Sequence, residues 1–289
     1  MPHPNKVLTA DQIVEMCERY QSGESCVTLG RFYGVCRQAI WTMLKRRGIA
    51  TRQSIDYKRY TADYAFFQNI DTGEKAYWLG FLAADGCVTG AAGSVDGKVK
   101  ITLASKDREH IQRFLTTLKA TQPIYDWEDK VKHKKLSTVV ICSVKMCRDL
   151  ARYGVVRRKT AVFTWPESLP KNMISHFVRG YFDGDGSVFT CKPNNAPSQD
   201  ITISVLGHEP FIARLQEELM RECNLGKTKL KRRSPGKPYF YVRYTGRLQI
   251  LRMAAYMYKD AAAWLPRKRD KFQPFILGTV PNGILIERG

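Results

Sequence analysis

Residues 74–86 read EKAYWLGFLAADG and residues 174–186 read ISHFVRGYFDGDG. Each is an apolar run at helical spacing that ends in a small residue, an aspartate and a glycine. Asp85 and Asp185 lie 100 residues apart. A chain that writes such a unit twice is built by duplication, and the duplication sets the frame in which the other motifs are read. The order that follows each copy also recurs. After Gly86 come a β-like stretch, an alternating strand over 98–103, a helix over 106–119, strands near 124–127 and 138–143, and a helix from 145. After Gly186 come strands over 187–191 and 201–205, a helix over 209–223, strands near 227–231 and 239–244, and a helix from 247. Each repeat is therefore expected to be αββαββα. The trios Ile101-Thr102-Leu103 and Ile201-Thr202-Ile203 keep the 100-residue offset.

The first 50 residues do not belong to either repeat. Thr9 opens a capping box with Gln12, after which Ile13, Met16, Cys17 and Tyr20 recur at helical spacing. A second helix is expected over 25–33. After the Gly34-Val35 turn, a third carries Ala39, Ile40, Met43 and Leu44 inward and stops at Gly48. Three short helices with a tight turn before the third make a helix-turn-helix, and LGRFYGVCRQAIWTMLKRRGI resembles the helix-turn-helix of recombinase and homeodomain-like modules. The outer face of its third helix, with Arg37, Gln38, Trp41, Thr42 and Lys45, carries the donors that base edges and phosphates accept from. Residues 51–72 are polar, basic and aromatic without a period and are read as a linker lying on DNA. The expected organisation is 1–50 helix-turn-helix, 51–72 linker, 73–165 first repeat, and 166–289 second repeat with a C-terminal tail.

Charge narrows the partner. Against 27 acidic side chains stand 47 Lys and Arg, a formal net charge of +20 in 289 residues, which points to a polyanion and first to nucleic acid. No run of about 18 apolar residues is present and the start, MPHPNKVL, lacks the apolar core of a signal peptide, so a soluble intracellular protein is expected. The eight cysteines include no C-x-x-C pair and are expected to be reduced.

WLGFLAADG and VRGYFDGDG resemble the two signature motifs of a single-chain LAGLIDADG homing endonuclease, and the shared αββαββα order extends the resemblance over about residues 74–272. The resemblance implies an α+β fold: a pseudo-two-fold duplicated αββαββα unit with its motif helices side by side between two antiparallel saddle sheets, here preceded by a small all-α domain. It also implies a nuclease acting on double-stranded DNA, with Asp85 and Asp185 holding Mg2+, for which Mn2+ substitutes. The residues agree on their own terms. Gly80, Ala84, Gly180 and Gly184 leave bare helix faces that permit close approach. The two carboxylates would then meet at neighbouring helix ends, where their repulsion calls for a hard cation. Backbone carbonyls at Ala84 and Gly184 are counted with the metal site. A lone Asp-Gly after a helix is an ordinary turn, and it is the second aligned copy that changes the reading. At the sixth motif position Asp183 stands against Ala83 in the first copy, and Asp183 is read as a helix-end hydrogen-bonding partner.

Basic side chains that polarise the scissile phosphate complete such sites in the family. By position these are Lys145 in the first repeat and Arg247 in the second, with Arg243 beside it. Lysines at period two, Lys98 and Lys100 in one repeat and Lys227, Lys229 and Lys231 in the other, share a sheet face that suits a polyanion. The segments KVKHKKL and KRRSPGKPYF add Lys132, Lys134 and Arg232 as phosphate contacts. With both aspartates in one chain, a monomer acting on a double-stranded target is expected, and intron RNA is a second possible partner. The alternatives are a cleavage-inactive LAGLIDADG/helix-turn-helix regulator, against which the retention of both aspartates speaks, and an intron RNA maturase. An intein is not expected from a chain that starts at Met1 and ends ILIERG.

Overall fold

The computed structural model describes residues 7–51, 60–89, 97–191 and 200–272, and the chain divides into two compact units, one up to Arg59 and one from Tyr60. The expected C-terminal tail and residues 52–59 of the expected linker lie outside the described residues.

The first unit holds α1 (Ala10–Gln21), α2 (Cys26–Tyr33) and α3 (Arg37–Arg46). Thr9 caps α1 through a capping box: its hydroxyl accepts from Gln12 N–H at 3.3 Å and its own N–H donates to Gln12 Oε1 at 3.1 Å. Gly34 ends α2 at φ 72°, which turns the chain sharply into α3. At the other end of α3, Gly48 N–H donates to Lys45 O and Ile49 N–H to Leu44 O, both at 3.0 Å, the double bond of a Schellman cap. Met16, Tyr20, Leu29, Tyr33, Ile40 and Leu44 form its core. Charge is segregated along the unit. Asp11, Glu15 and Glu18 lie on α1 with a single base, the ion-paired Arg19, whereas Arg37, Lys45 and Arg46 lie on α3, where Lys45 stacks on the Trp41 ring at 4.3 Å.

The second unit contains the two repeats. In the first, α4 (Gly73–Ala84) leads into β1 (Gly86–Thr89), β2 (Lys98–Ala104), α5 (Arg108–Thr117), β3 (Tyr125–Asp129), β4 (Lys134–Cys142) and α6 (Val144–Ala151). In the second, α7 (Ile174–Asp185) leads into β5 (Gly186–Cys191), β6 (Asp200–His208), α8 (Glu209–Cys223), β7 (Lys231–Arg232), β8 (Tyr239–Thr245) and α9 (Arg247–Tyr258), followed by the short α10 (Pro266–Arg269). The sheets are antiparallel with matching orders, β1-β2-β4-β3 and β5-β6-β8-β7. Period-two patterning explains why each sheet has one packed face. Val88, Val99, Ile101, Val139 and Ile141 are buried in the first, and Val188, Ile203, Val205, Val242 and Tyr244 in the second. Both sheets and the motif helices share one continuous core. No helix among the described residues is long and apolar enough to cross a membrane.

The structure differs from the sequence reading in three places. Gly86 pairs with Ile101, but Gly186 pairs with Val205, so the equivalent strand positions are offset by 104 residues. The Ile-Thr match at 100 is coincidental. Of the strand expected over 227–231, only Lys231 joins a ladder. The Gln216 amide on α8 donates to the Thr228 carbonyl at 2.8 Å and to its hydroxyl at 3.0 Å, occupying the acceptor a strand would need. Residues 60–72 are not a DNA-lying linker. Phe66, Phe67 and Ile70 are buried in the core, and Asp63 N–H donates to Leu118 O at 2.7 Å. The aromatics that gave this stretch its look of a nucleic-acid contact are core side chains without a regular period.

Candidate active site

The two motif helices are in backbone contact. A Cβ added at Gly80 would lie 2.0 Å from the Phe177 carbonyl oxygen, and one at Gly180 would lie 1.9 Å from that of Tyr77. The two contacts are related by the same 100-residue offset, so the helices meet about a local two-fold. One turn further on, a Cβ at Gly184 would lie 2.3 Å from the Ala84 Cβ. No side chain separates the helices at the first two points and only the Ala84 methyl at the third, so their C-terminal ends are neighbours. Asp85 is the C-cap of α4 and Asp185 the last residue of α7.

Residues 72–153 match the sequence profile of the LAGLIDADG-like domain. They form a LAGLIDADG-like domain. With the second repeat, which has the same strand order around a second motif helix, they make the duplicated LAGLIDADG fold. Among solved structures, the LAGLIDADG meganuclease I-AabMI bound to uncleaved DNA is similar at 14% identity and TM-score 0.48, with 69% of this chain and 88% of that chain covered. I-LtrWI bound to target DNA is similar at 11% identity and TM-score 0.48, with 74% and 89% covered. I-SmaMI bound to uncleaveable DNA is similar at 14% identity and TM-score 0.47, with 69% and 88% covered. No curated protein sequence matches the chain.

Among the described residues no hydrogen bond or ion pair engages the carboxylate of Asp85 or Asp185. Both lose water to the surrounding protein. Asp85 is open to solvent on one side, but the packed helix ends behind it raise its pKa by desolvation, opposed by the charges of Lys268, Lys159 and Arg267. Asp185 is half-buried, and desolvation followed by repulsion from Asp85 pushes it up to about 6. The folded state therefore binds this proton more tightly than the unfolded chain does. The resulting stabilisation is present below the ordinary aspartate value of about 4 and is lost as pH rises through about 6. Near neutral pH the ionised pair is a liability unless something positive joins it.

Two buried lysines supply part of that charge, each at its own motif helix. Lys159 Nζ donates to Ala84 O at 3.1 Å and to Gly86 O, the two carbonyls flanking Asp85. Lys268 Nζ donates to Phe182 O and Asp183 O at 2.7 Å and to Gly184 O at 3.0 Å. A cation on the last carbonyls of a helix meets the negative end of its dipole. Burial lowers the pKa of Lys159 and brings Lys268 down to about 8, with the aspartates opposing the change in both cases.

These lysines, and not Lys145 or Arg247, stand at the aspartates. Val139 is level with Ile101 and Gly86, whereas Cys142 is level with Lys98, which pairs with Thr89. β4 thus runs away from the motif helix, and α6 begins at the remote end of the sheet. There the Lys145 amine donates to Asp149 and Gln68, both at 2.8 Å. β8 carries Arg247 away in the same manner, since Arg243 is level with Ser204 and Ser187 but Thr245 with Thr202 and Phe189. Arg243 stays nearer, stacked between Phe189 at 5.4 Å and Tyr241 at 5.0 Å. The sequence does carry a signal for the pair that stands there. After the last long helix of each repeat it writes Arg-Lys-x-x-x-Phe, as RKTAVF over 158–163 and RKRDKF over 267–272.

A hard divalent cation fits the donors present. They are two bare carboxylates and the carbonyls of Ala84 and Gly184, which each accept a lysine N–H but keep a second lone pair. No group of three or more His, Cys, Asp and Glu side chains gathers among the described residues, so water or phosphate oxygens would complete the shell. Asp183 is not part of it. Buried beside the site, it accepts from Tyr77 Oη at 2.8 Å and from Leu265 N–H at 2.7 Å, and burial raises it to about 6.

On the sheet faces turned from the core, Lys98 is exposed and Lys100 half-buried between inward Val99 and Ile101. Lys227, Lys229, Lys231, Arg232 and Arg243 are exposed in the second repeat, and Lys132 and Lys134 lie on the β3–β4 hairpin. The side chains of seven of the eight cysteines are described, and all seven are free thiols.

Proposed function

We propose that the protein is a site-specific endonuclease that hydrolyses one phosphodiester on each strand of double-stranded DNA, acting as a monomer. The observation that carries the reading is the pair of unbonded carboxylates at two touching helix ends, each with its own lysine. The LAGLIDADG-like match over residues 72–153 supports it. Mg2+ held by Asp85 and Asp185, or Mn2+ in its place, would supply a water of lowered pKa and Lewis-acid stabilisation of the leaving oxygen. The chain's own contribution is positional. Ionised Asp85 and Asp185 present hard oxygens at a fixed separation, because the glycine contacts forbid the helices to slide. Lys159 and Lys268 hold positive charge beside the place where phosphate charge grows in the transition state. Lys98, Lys100, Lys227, Lys229, Lys231 and Arg243 hold the flanking backbone and groove.

The direct test is incubation with a randomised duplex library and Mg2+, followed by sequencing of the ends. The expected result is cleavage of both strands at one preferred site. Tight binding without cleavage would replace this reading with that of a regulator, and preferential binding of structured RNA with that of a maturase.

The helix-turn-helix is proposed to extend the DNA contact without setting the cut. Deleting residues 1–50 removes Arg37, Gln38, Trp41 and Lys45. The salt dependence of binding should become shallower by roughly one unit of slope per lost phosphate contact, with the cut position unchanged. Equal salt slopes and footprints for the two proteins would show that the module does not bind DNA.

A further inference from the structure

Each active-site lysine sits on a short irregular strap, and each strap is tied to the opposite repeat. Asp107 closes the 3-10 turn over 105–107 that runs into α5 in the first repeat, and its carboxylate makes no bond to that helix. Instead it is buried and accepts from Arg267 Nε at 2.9 Å on both oxygens, across 160 residues. Arg267 is the neighbour of Lys268. In the second repeat His208, which ends β6 just before α8 as Ala104 ends β2, makes no side-chain bond to α8. It turns to the first strap, with Nδ1 at 3.1 Å from the Phe163 carbonyl oxygen. Phe163 N–H in turn donates to Lys159 O at 2.7 Å. Arg158, which matches Arg267 in the Arg-Lys-x-x-x-Phe repeat, has no ion pair among the described residues. One strap is therefore tied to the opposite repeat by a charged pair, and the other by a hydrogen bond together with the packing of Phe163 on Tyr181 and Phe211.

We propose that Asp107 and His208 are crossed positioning residues: each repeat fixes the strap that delivers the other repeat's lysine to its motif helix. Two side chains near the starts of α5 and α8, each bonded to the strap of the opposite repeat, mark a shared task. Its consequence is coupling. Cutting of the strand served by Asp185 and Lys268 depends on α5 of the first repeat, and cutting of the other strand depends on α8 of the second.

The test has one arm free of metal and DNA and one that rests on the endonuclease reading. In the first arm the folded protein is treated with acetic anhydride and acylation is followed lysine by lysine by mass spectrometry. Asp107→Asn and Arg267→Gln should each speed labelling of Lys268 by about fivefold, as expected for loss of a half-exposed ion pair, with Lys159 unchanged. His208→Ala should do the reverse, and His208→Asn, which keeps a donor, should restore the parent rate. Arg267 is half-exposed, so its variant decides the matter if Asp107→Asn fails to fold. In the second arm, single-turnover cleavage of DNA end-labelled on either strand should show the Asp107 and His208 variants slowing opposite strands, so that nicked duplex accumulates. Parent-like labelling in all variants, or both lysines changing together, overturns the proposal. A parent that labels as described but cuts no DNA overturns the endonuclease reading alone.

Discussion

Asp185→Asn should reduce double-strand cleavage on the order of 10³-fold, equivalent to about 4 kcal/mol of the stabilisation a bound cation supplies, while DNA affinity stays near that of the parent. Asp85→Asn should behave in the same way. Asn preserves shape and removes the charge, so the helix packing is untouched and only the hard anionic donor is lost. Affinity comes from the basic sheet faces, and removing a negative charge near phosphates does not weaken it. The pH behaviour follows from the raised pKa. At sub-saturating Mg2+, cleavage by the parent should rise with pH up to about 6, because the proton on Asp185 competes with the cation. The sign for stability is opposite: the parent loses the favourable proton of Asp185 over that same range, whereas the Asn variant has none to lose. Without metal, the melting temperature of Asp185→Asn relative to the parent should therefore climb from pH 4 to pH 7. Cleavage by either variant at the parent rate would sink the two-aspartate mechanism, and a flat melting difference would remove desolvation as the cause of the shift.

The meeting of Asp85 and Asp185 at neighbouring helix ends is legible because a motif repeated in register is evidence that a single Asp-Gly is not. The sheets were legible because Val99, Ile101, Val139 and Ile141 alternate with polar neighbours, and α8 was read with its observed ends because His208-Glu209-Pro210 and Asn224 punctuate it. Lys159 and Lys268 escaped because they lie on irregular segments where no period applies, and because a lysine that caps a helix leaves no local pattern in sequence. Lys145 and Arg247 stand where a strand passes into a helix, but strand direction carries both away from the aspartates. The Arg-Lys-x-x-x-Phe repeat would have served better, since duplication applies to the straps as well as the motifs. Phe66, Phe67 and Ile70 were misplaced for a related reason: composition alone does not separate aromatics that stack on bases from aromatics that fill a core. The Ile-Thr match at an offset of 100 shows the reverse hazard, a sequence coincidence that the pairing of Gly186 with Val205 corrects.

Gly180→Leu should cost more than about 3 kcal/mol, beyond the usual range for an overpacked core, and lower the melting temperature by about 6–12 °C for a unit of this size. The added Cβ would fall 1.9 Å from the Tyr77 carbonyl oxygen. That obstacle is backbone, so no rotamer change relieves it and the helices must part. Parting exposes α4, in which every residue from Ala76 to Ala83 is buried, and it moves Asp85 and Asp185 off a common centre. Cleavage should disappear even at temperatures where the variant is folded. Gly180→Ala makes the test sharper, because it adds only the clashing atom, and Gly226→Ala is its control, with nothing within 4 Å of the added Cβ. If the helices meet as described, Gly180→Ala melts well below Gly226→Ala, and binding of Mg2+ weakens with it. Equal melts for the two alanine variants would mean that the backbones are not in contact, and the shared carboxylate centre would then have no structural basis.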